Sequence, residues 1–281
     1  MGHFKTISYR RKRKRQIIRL VILIILFIIF INFIAKNVNV NSKYLEYLTH
    51  SYLGMDFEIK ESIDNLSNNT PVFKEEAKPI VYLYNTHQTE NYQYNKLTGY
   101  NIDYSVMFAS YILESYLKNY EIESVVETTS MSKVLSENGL KYKDSYKASR
   151  ILLEKSVINY PTLKYFIDLH RDSSIYEKTT CEFNSQKYAK ILFVIGTEHE
   201  NYVQNKKFAE ILNKKLKEVN PCLSRGIIEK SGEGVDGIYN QDFNGNTILL
   251  EIGGQYNAID EANNTLKVLA SILYEYIMED E

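Results

Sequence analysis

The hydrophobic and polar positions of this chain change period repeatedly, and each change marks an element. Residues 17–35, IIRLVILIILFIIFINFIA, are apolar except at Arg19 and Asn32. About 19 such residues at ~1.5 Å rise each give roughly 28 Å of helix, close to the hydrocarbon thickness of a bilayer. The run predicts one transmembrane helix over residues 16–36, behind a basic tail over residues 1–15. Residues 37–78 hold neither period for long. SKYLEYLTHSYLGMDF is briefly amphipathic, and ESIDNLSNNTPVFKEEAKP is polar with Pro71 and Pro79 as breakers, so this stretch reads as a connector.

From residue 79 to 281 the pattern is that of one folded domain. IVYLY is a short apolar run of buried-strand type. NIDYSVMFASYILESYLKNY has helical spacing, with Val106, Ala109, Ile112, Leu113 and Leu117 on one stripe. IESVVETT predicts a second strand, Tyr142 to Asn159 a second helix, and LKYFIDLH a third strand. TTCEFNSQKYAKILFVIG predicts two strands around a turn at Asn184-Ser185. YVQNKKFAEILNKKLKEV is then a helix, NTILLEIGG a final buried strand, and AIDEANNTLKVLASILYEYIMED a closing helix. Strands alternating with helices of this length predict an α/β fold, a three-layer αβα domain with a mostly parallel central sheet. Sites in such sheets gather at the carboxyl ends of strands.

Charge sharpens this picture. Lys5, Arg10, Arg11, Lys12, Arg13, Lys14, Arg15 and Arg19 lie in the first 19 residues, leaving 26 basic against 35 acidic side chains in the remainder. The basic end is expected to stay in the cytoplasm and everything after residue 36 to lie outside, making a single-pass protein of the cell membrane. A cleaved signal peptide fits less well, since its apolar core is shorter and ends at a small-residue site, whereas Ala35 is the only small residue at this exit. A body carrying net −9 is unsuited to phosphate backbones, which argues against nucleic acid as a partner. The two cysteines, Cys181 and Cys222, have no metal-type spacing and fit either one bridge or two buried thiols.

Three of the apolar runs end in residues able to hold a metal. PIVYLYNT leads into His87-Gln-Thr-Glu90, KYFIDL into His170-Arg171-Asp172, and NTILL into Glu251-Ile-Gly-Gly. Two histidines and two glutamates from separate strand ends suit a mononuclear zinc hydrolase, in which three ligands leave one position open and a further carboxylate manages the proton. HxxE alone is a weak signal, and an isolated match is better explained by a turn histidine beside a surface glutamate. His170 closes a buried run, where an imidazole needs a partner. Asp168 shares its strand face and is a candidate to support it, as is Asp172, while Arg171 is a candidate for a substrate carboxylate. Glu251 is an acid at the end of an otherwise buried run, followed by two glycines, and fits a general base. His199, in GTEHENY, reads as a surface residue; His3 and His50 fall in the tail and the connector. No GxSxG elbow or P-loop is present.

In order, NTHQTENY, FIDLHRDS, ILFVIGTEHENY, LSRGIIEK, GIYNQDFN and ILLEIGGQYNAIDEANNT make the chain, over residues 79–279, resemble the stage II sporulation protein P family of membrane-anchored cell-wall hydrolases. The resemblance implies an N-acetylmuramoyl-L-alanine amidase fold that removes stem peptides from the glycan strands of peptidoglycan during forespore engulfment, beside stage II sporulation proteins D and M. It implies Zn2+ held by His87 and His170, with Glu251 catalytic; the third ligand is Glu90 by local spacing, with Asp103 as the alternative. Asn240, with Tyr239 and Gln241, falls in a motif expected to line the substrate groove or support the site. A zinc carboxy- or endopeptidase on wall peptides, and a non-catalytic wall-binding scaffold, stay open as alternatives.

Overall fold

A strand with no polar residue needs backbone pairing on both sides and cover on both faces. Val81–Tyr84 (β1) meets that condition, with all four residues buried between two parallel neighbours. The computed structural model describes residues 78–93 and 104–280. After β1 come α1 (Val106–Lys118), β2 (Ser124–Val126), α2 (Met131–Glu137), α3 (Ser145–Asn159) and β3 (Tyr165–Asp172). They are followed by α4 (Tyr176–Thr179), β4 (Thr180–Phe183), β5 (Gln186–Ala189) and β6 (Ile191–Gly196). The chain closes with α5 (Tyr202–Val219), β7 (Ser224–Lys230), β8 (Thr247–Gly254) and α6 (Ile259–Asp280).

Six strands form the central sheet in the order β2-β1-β3-β8-β6-β7. All neighbours are parallel except β6 against β8. The mixed α/β architecture with a mostly parallel sheet is therefore as the sequence predicts. Alternation along the strands sorts the two faces. Tyr82, Tyr84 and Phe166 pack with Leu153 of α3 and with Leu163 on one face. On the other, α1 packs against α6 and β3, and α5 against α6, β6 and β7. The Ser105 hydroxyl caps α1 by accepting the Phe108 N–H, and Val106, Ala109, Leu113 and Leu117 of the predicted stripe are buried, with Ile112 half-buried.

Some elements differ from expectation. TTCEFNSQKYAKILFVIG holds three strands: β4 and β5 make a separate two-stranded hairpin, and β6 joins the central sheet. The break falls at Lys190, whose N–H bonds Thr179 and whose carbonyl accepts from Gly253. The turn itself is as predicted, with Asn184 and Ser185 both left-handed. β7 and α2 are not anticipated, because a Gly-interrupted, charged edge strand and a seven-residue helix carry too little periodicity to register. Cys181 and Cys222 form a disulfide with Cα atoms 5.9 Å apart, so the reading as buried free thiols is set aside. It ties the hairpin to the turn entering β7. Among the described residues no helix is long and apolar enough to cross a membrane; the span predicted over residues 16–36, the basic tail and the connector before residue 78 lie outside them.

Candidate metal centre

Adjacent parallel strands bring their carboxyl ends to one edge, and β1, β3 and β8 are adjacent and parallel. His87 lies just past β1, His170 is within β3, and Glu251 pairs directly with His170 across to β8. Residues 87–90 form a turn closed by the Glu90 N–H to the His87 carbonyl at 3.0 Å. Gln88 pins that turn: its amide donates to the Thr129 carbonyl and accepts from the Met131 N–H at the start of α2. Both His87 and Glu90 are thereby turned toward β3. One ligand atom from each of His87, Glu90 and His170 lies within 4.8 Å of the others. His87 Nδ1 is 3.7 Å from Glu90 Oε1, and His170 Nδ1 is 3.4 Å from Glu90 Oε2. Of the two alternatives for the third position, Glu90 is in this group, and Asp103 falls outside the described residues.

The environment sets the charges. Burial disfavours an ionised Glu90, but His170, His87 and the Arg171 N–H, at 3.0 Å from Oε2, outweigh it and hold the carboxyl far below its usual range. Burial likewise disfavours a charged His170, and the Asp168 and Glu90 carboxylates overcome it to push the imidazole upward. Asp168 is fully buried, with Oδ1 3.0 Å from His170 Nε2, close enough for an ion-pair contact though not aligned as a hydrogen bond. Its remaining needs are met by Thr86, whose N–H and hydroxyl donate at 2.9 and 2.7 Å. Glu251 has the opposite balance. Burial raises its carboxyl, opposed by the charge of His170 and reinforced by Glu90 and Asp172, to about 7 from an ordinary 4.5. Its Oε2 is buried without a hydrogen-bond partner.

Two imidazoles and one carboxylate match the donor set of zinc. Bonds near 2.1 Å limit two ligands on one ion to about 4 Å apart, so the group as it stands is within ~1 Å of that requirement. His170 presents Nδ1 to the group, while Nε2 lies 3.0 Å from the Asp168 carboxylate behind it. The residues fit a divalent cation.

The family model for stage II sporulation protein P matches residues 36–274. The chain belongs to the stage II sporulation protein P family. The stage II sporulation protein P of Bacillus subtilis strain 168 is 30% identical over 224 residues, covering 78% of this chain and 56% of that protein. The chain thus spans just over half the length of that relative. Among solved structures, the N-acetylmuramoyl-L-alanine amidase AmiC2 of Nostoc punctiforme is 10% identical with a TM-score of 0.42, over 72% of this chain and 98% of that one. The CwlD amidase from Clostridioides difficile, in complex with the GerS lipoprotein, is 14% identical with a TM-score of 0.44, over 71% and 97%. A metallo-carboxypeptidase from Burkholderia cenocepacia is 13% identical with a TM-score of 0.38, over 75% and 59%.

The other predicted residues divide. Asp168 sits against His170 as the strand period implies. Arg171 is partly exposed beside the group, its backbone N–H on Glu90 and its Nε on the Asn91 carbonyl. Asp172 does not support His170; the chain slips register between the two, and Asp172 instead pairs with Arg225 and accepts from Ser174. Asn240 and Gln241 are buried and bonded to protein, so they do not line a groove. His199 is half-buried with both ring nitrogens shielded, and burial pulls its pKa down; it is not a free surface residue. Because β6 runs against β8, its end carries His199 to the edge away from the metal group.

Sequence reasoning also passed over Thr86, Ser149, Tyr92 and Tyr142. Thr86 and Tyr92 lie inside the NTHQTENY motif, but nothing in their spacing marks them as buried. The Tyr92 hydroxyl is buried without a partner. Tyr142 stacks on His87 with ring centroids 5.3 Å apart and stays 61% exposed, an aromatic face at the mouth of the site.

Proposed function

We propose that this family member is a zinc-dependent N-acetylmuramoyl-L-alanine amidase acting on peptidoglycan during sporulation. The observation that carries the reading is the meeting of His87, Glu90 and His170 beside a half-buried Glu251 whose shielded Oε2 has no hydrogen-bond partner. His87, Glu90 and His170 would hold the ion. Zinc, when bound, supplies Lewis acidity and brings a water within reach of deprotonation near neutral pH.

The chain's own groups supply the rest. Asp168 lies against the ring of His170, and Gln88 fixes the turn carrying His87 and Glu90. Glu251 stands across from His170 with a free oxygen and a carboxyl raised to about 7, suited to take a proton from the attacking water and return it to the departing amine. Arg171 presents a cation for a stem-peptide carboxylate. The anchor over residues 16–36, an extracytoplasmic catalytic domain, a role in forespore engulfment and work beside stage II sporulation proteins D and M belong to the same proposal, supported by the hydrophobic run and the family.

The full chain in detergent should release intact stem peptides from purified peptidoglycan, lose this with a chelator and regain it with zinc. Glu251→Gln should keep zinc and stop turnover. Shortened peptides with the lactyl amide intact would replace the amidase with a zinc peptidase, and wall binding without cleavage would leave a scaffold.

A further inference from the structure

One turn, remote in sequence from the metal group, is wired to both of its histidines. Tyr239 and Asn240 are consecutive residues in the left-handed region, at φ 55° and 56°. Neither is glycine, and tyrosine gains nothing there to offset the steric penalty, so the surroundings must impose this backbone. Gln241 locks the turn to the sheet, accepting from the Gly196 N–H at 3.0 Å and donating to the Val194 carbonyl at 2.8 Å. From this base the Tyr239 ring meets the Tyr146 ring edge-on at 5.2 Å, and Tyr146 meets His87 edge-on at 5.6 Å.

Asn240 begins a second path, made of hydrogen bonds. Its Nδ2 lies 3.0 Å from the Tyr146 carbonyl and 2.9 Å from Ser149 Oγ. Only the amide nitrogen can face a carbonyl, so Asn240 is the donor. Thr86 Oγ1 donates to Asp168 Oδ2 at 2.7 Å. The Thr86 and Ser149 hydroxyls are hydrogen-bonded at 2.8 Å, and Ser149 Oγ also lies 3.2 Å from the Tyr146 carbonyl. Asn240, Ser149 and Thr86 thus form a continuous hydrogen-bonded path to Asp168. Asp168, so satisfied, turns Oδ1 to His170 Nε2 and leaves Nδ1 facing Glu90. Asn240, Ser149, Thr86 and Asp168 are all buried, so water cannot replace a missing member.

We infer that the Tyr239–Asn240 turn is a positioning element of the metal centre, acting on His170 through the hydrogen-bonded chain Asn240–Ser149–Thr86–Asp168 and on His87 through Tyr146. Asn240 is a positioning residue; it touches neither ion nor substrate. The inference rests on the metal-site reading above and deepens it. Partners behind a ligating histidine commonly carry about 10–100-fold in metal affinity.

The test is zinc affinity of the metal-stripped full chain in detergent, measured by competition with a chromophoric chelator, alongside the thermal melt of the metal-free protein. Asn240→Asp keeps the shape and replaces the donor with an acceptor facing Ser149 and a carbonyl. It should weaken zinc about 10-fold, and Thr86→Val about 10–100-fold. Thr86→Ser retains the hydroxyl and should stay near wild type, a rescue that a merely structural role for the site would not produce. Ser149→Ala keeps α3 intact and decides the matter should Asn240→Asp fail to fold. Wild-type affinity in Ser149→Ala and Thr86→Val would overturn the inference while leaving the metal site standing. Failure of the unaltered protein to bind zinc would overturn the metal-site reading and this inference with it.

Discussion

Replacing Glu251 by glutamine should stabilise the metal-free protein in a pH-dependent way. Burial lifts the Glu251 carboxyl from 4.5 to about 7, and at ~1.4 kcal/mol per pKa unit the ionised form opposes folding by roughly 3 kcal/mol. The sign follows from where each state releases its proton. Below about pH 4.5 the group is neutral in both states and contributes nothing. As pH rises toward 7 the unfolded chain ionises first, so stability falls by ~1.4 kcal/mol per pH unit. Above about pH 7 the full penalty persists. Glutamine has nearly the same shape and no charge, so it escapes this loss. Urea unfolding of chelator-treated protein, followed by circular dichroism at pH 5, 6, 7 and 8, should show Glu251→Gln gaining on the wild type by about 1 kcal/mol per unit to a plateau of about 2–3 kcal/mol. A constant difference across this range would refute the reasoning, since it would mean that Glu251 ionises in the fold as easily as in the unfolded chain. The variant that is more stable is also the one expected to be inactive, a trade-off common where a buried charge serves function.

Removing the Cys181–Cys222 bridge by a double serine substitution should lower stability by about 3 kcal/mol, since it closes a loop of 41 residues and loops of tens of residues are worth about 3–4 kcal/mol; an unchanged melting curve would exclude a stabilising role. For Asp172, burial acts to raise the carboxyl, but Arg225 and Ser174 hold it below its usual range, so this pair's stability is present above pH ~4 and lost as pH falls through the lowered pKa. Asp172→Ala should therefore cost about 1–3 kcal/mol at pH 7 and progressively less in acid unfolding titrations. Leu153→Ala should cost about 2–5 kcal/mol by urea unfolding, because the side chain is fully buried among Tyr82, Tyr84 and Phe166.

Local chemistry was enough to place most elements. The 3.6-residue stripe of Val106, Ala109, Leu113 and Leu117, the unbroken apolar run of Val81–Tyr84, and the left-handed pair Asn184-Ser185 each follow from interactions within a few residues, and each is legible in the sequence. The sequence also marks His87, Glu90 and His170 as residues able to hold a metal, and the fold brings these three together. Tertiary structure alone decided which partners they have. Asp172 is as close to His170 in sequence as Asp168, yet a register slip sends it to Arg225, while Asp168 stays against the imidazole. Nothing near Asn240 announces its link to Ser149, which lies 91 residues earlier. The antiparallel entry of β6, which carries His199 away from the other histidines, is equally invisible to periodicity. Spacing along a chain reports which face a residue occupies; which distant face meets it depends on how the sheet is assembled, and that is set by packing across the whole domain.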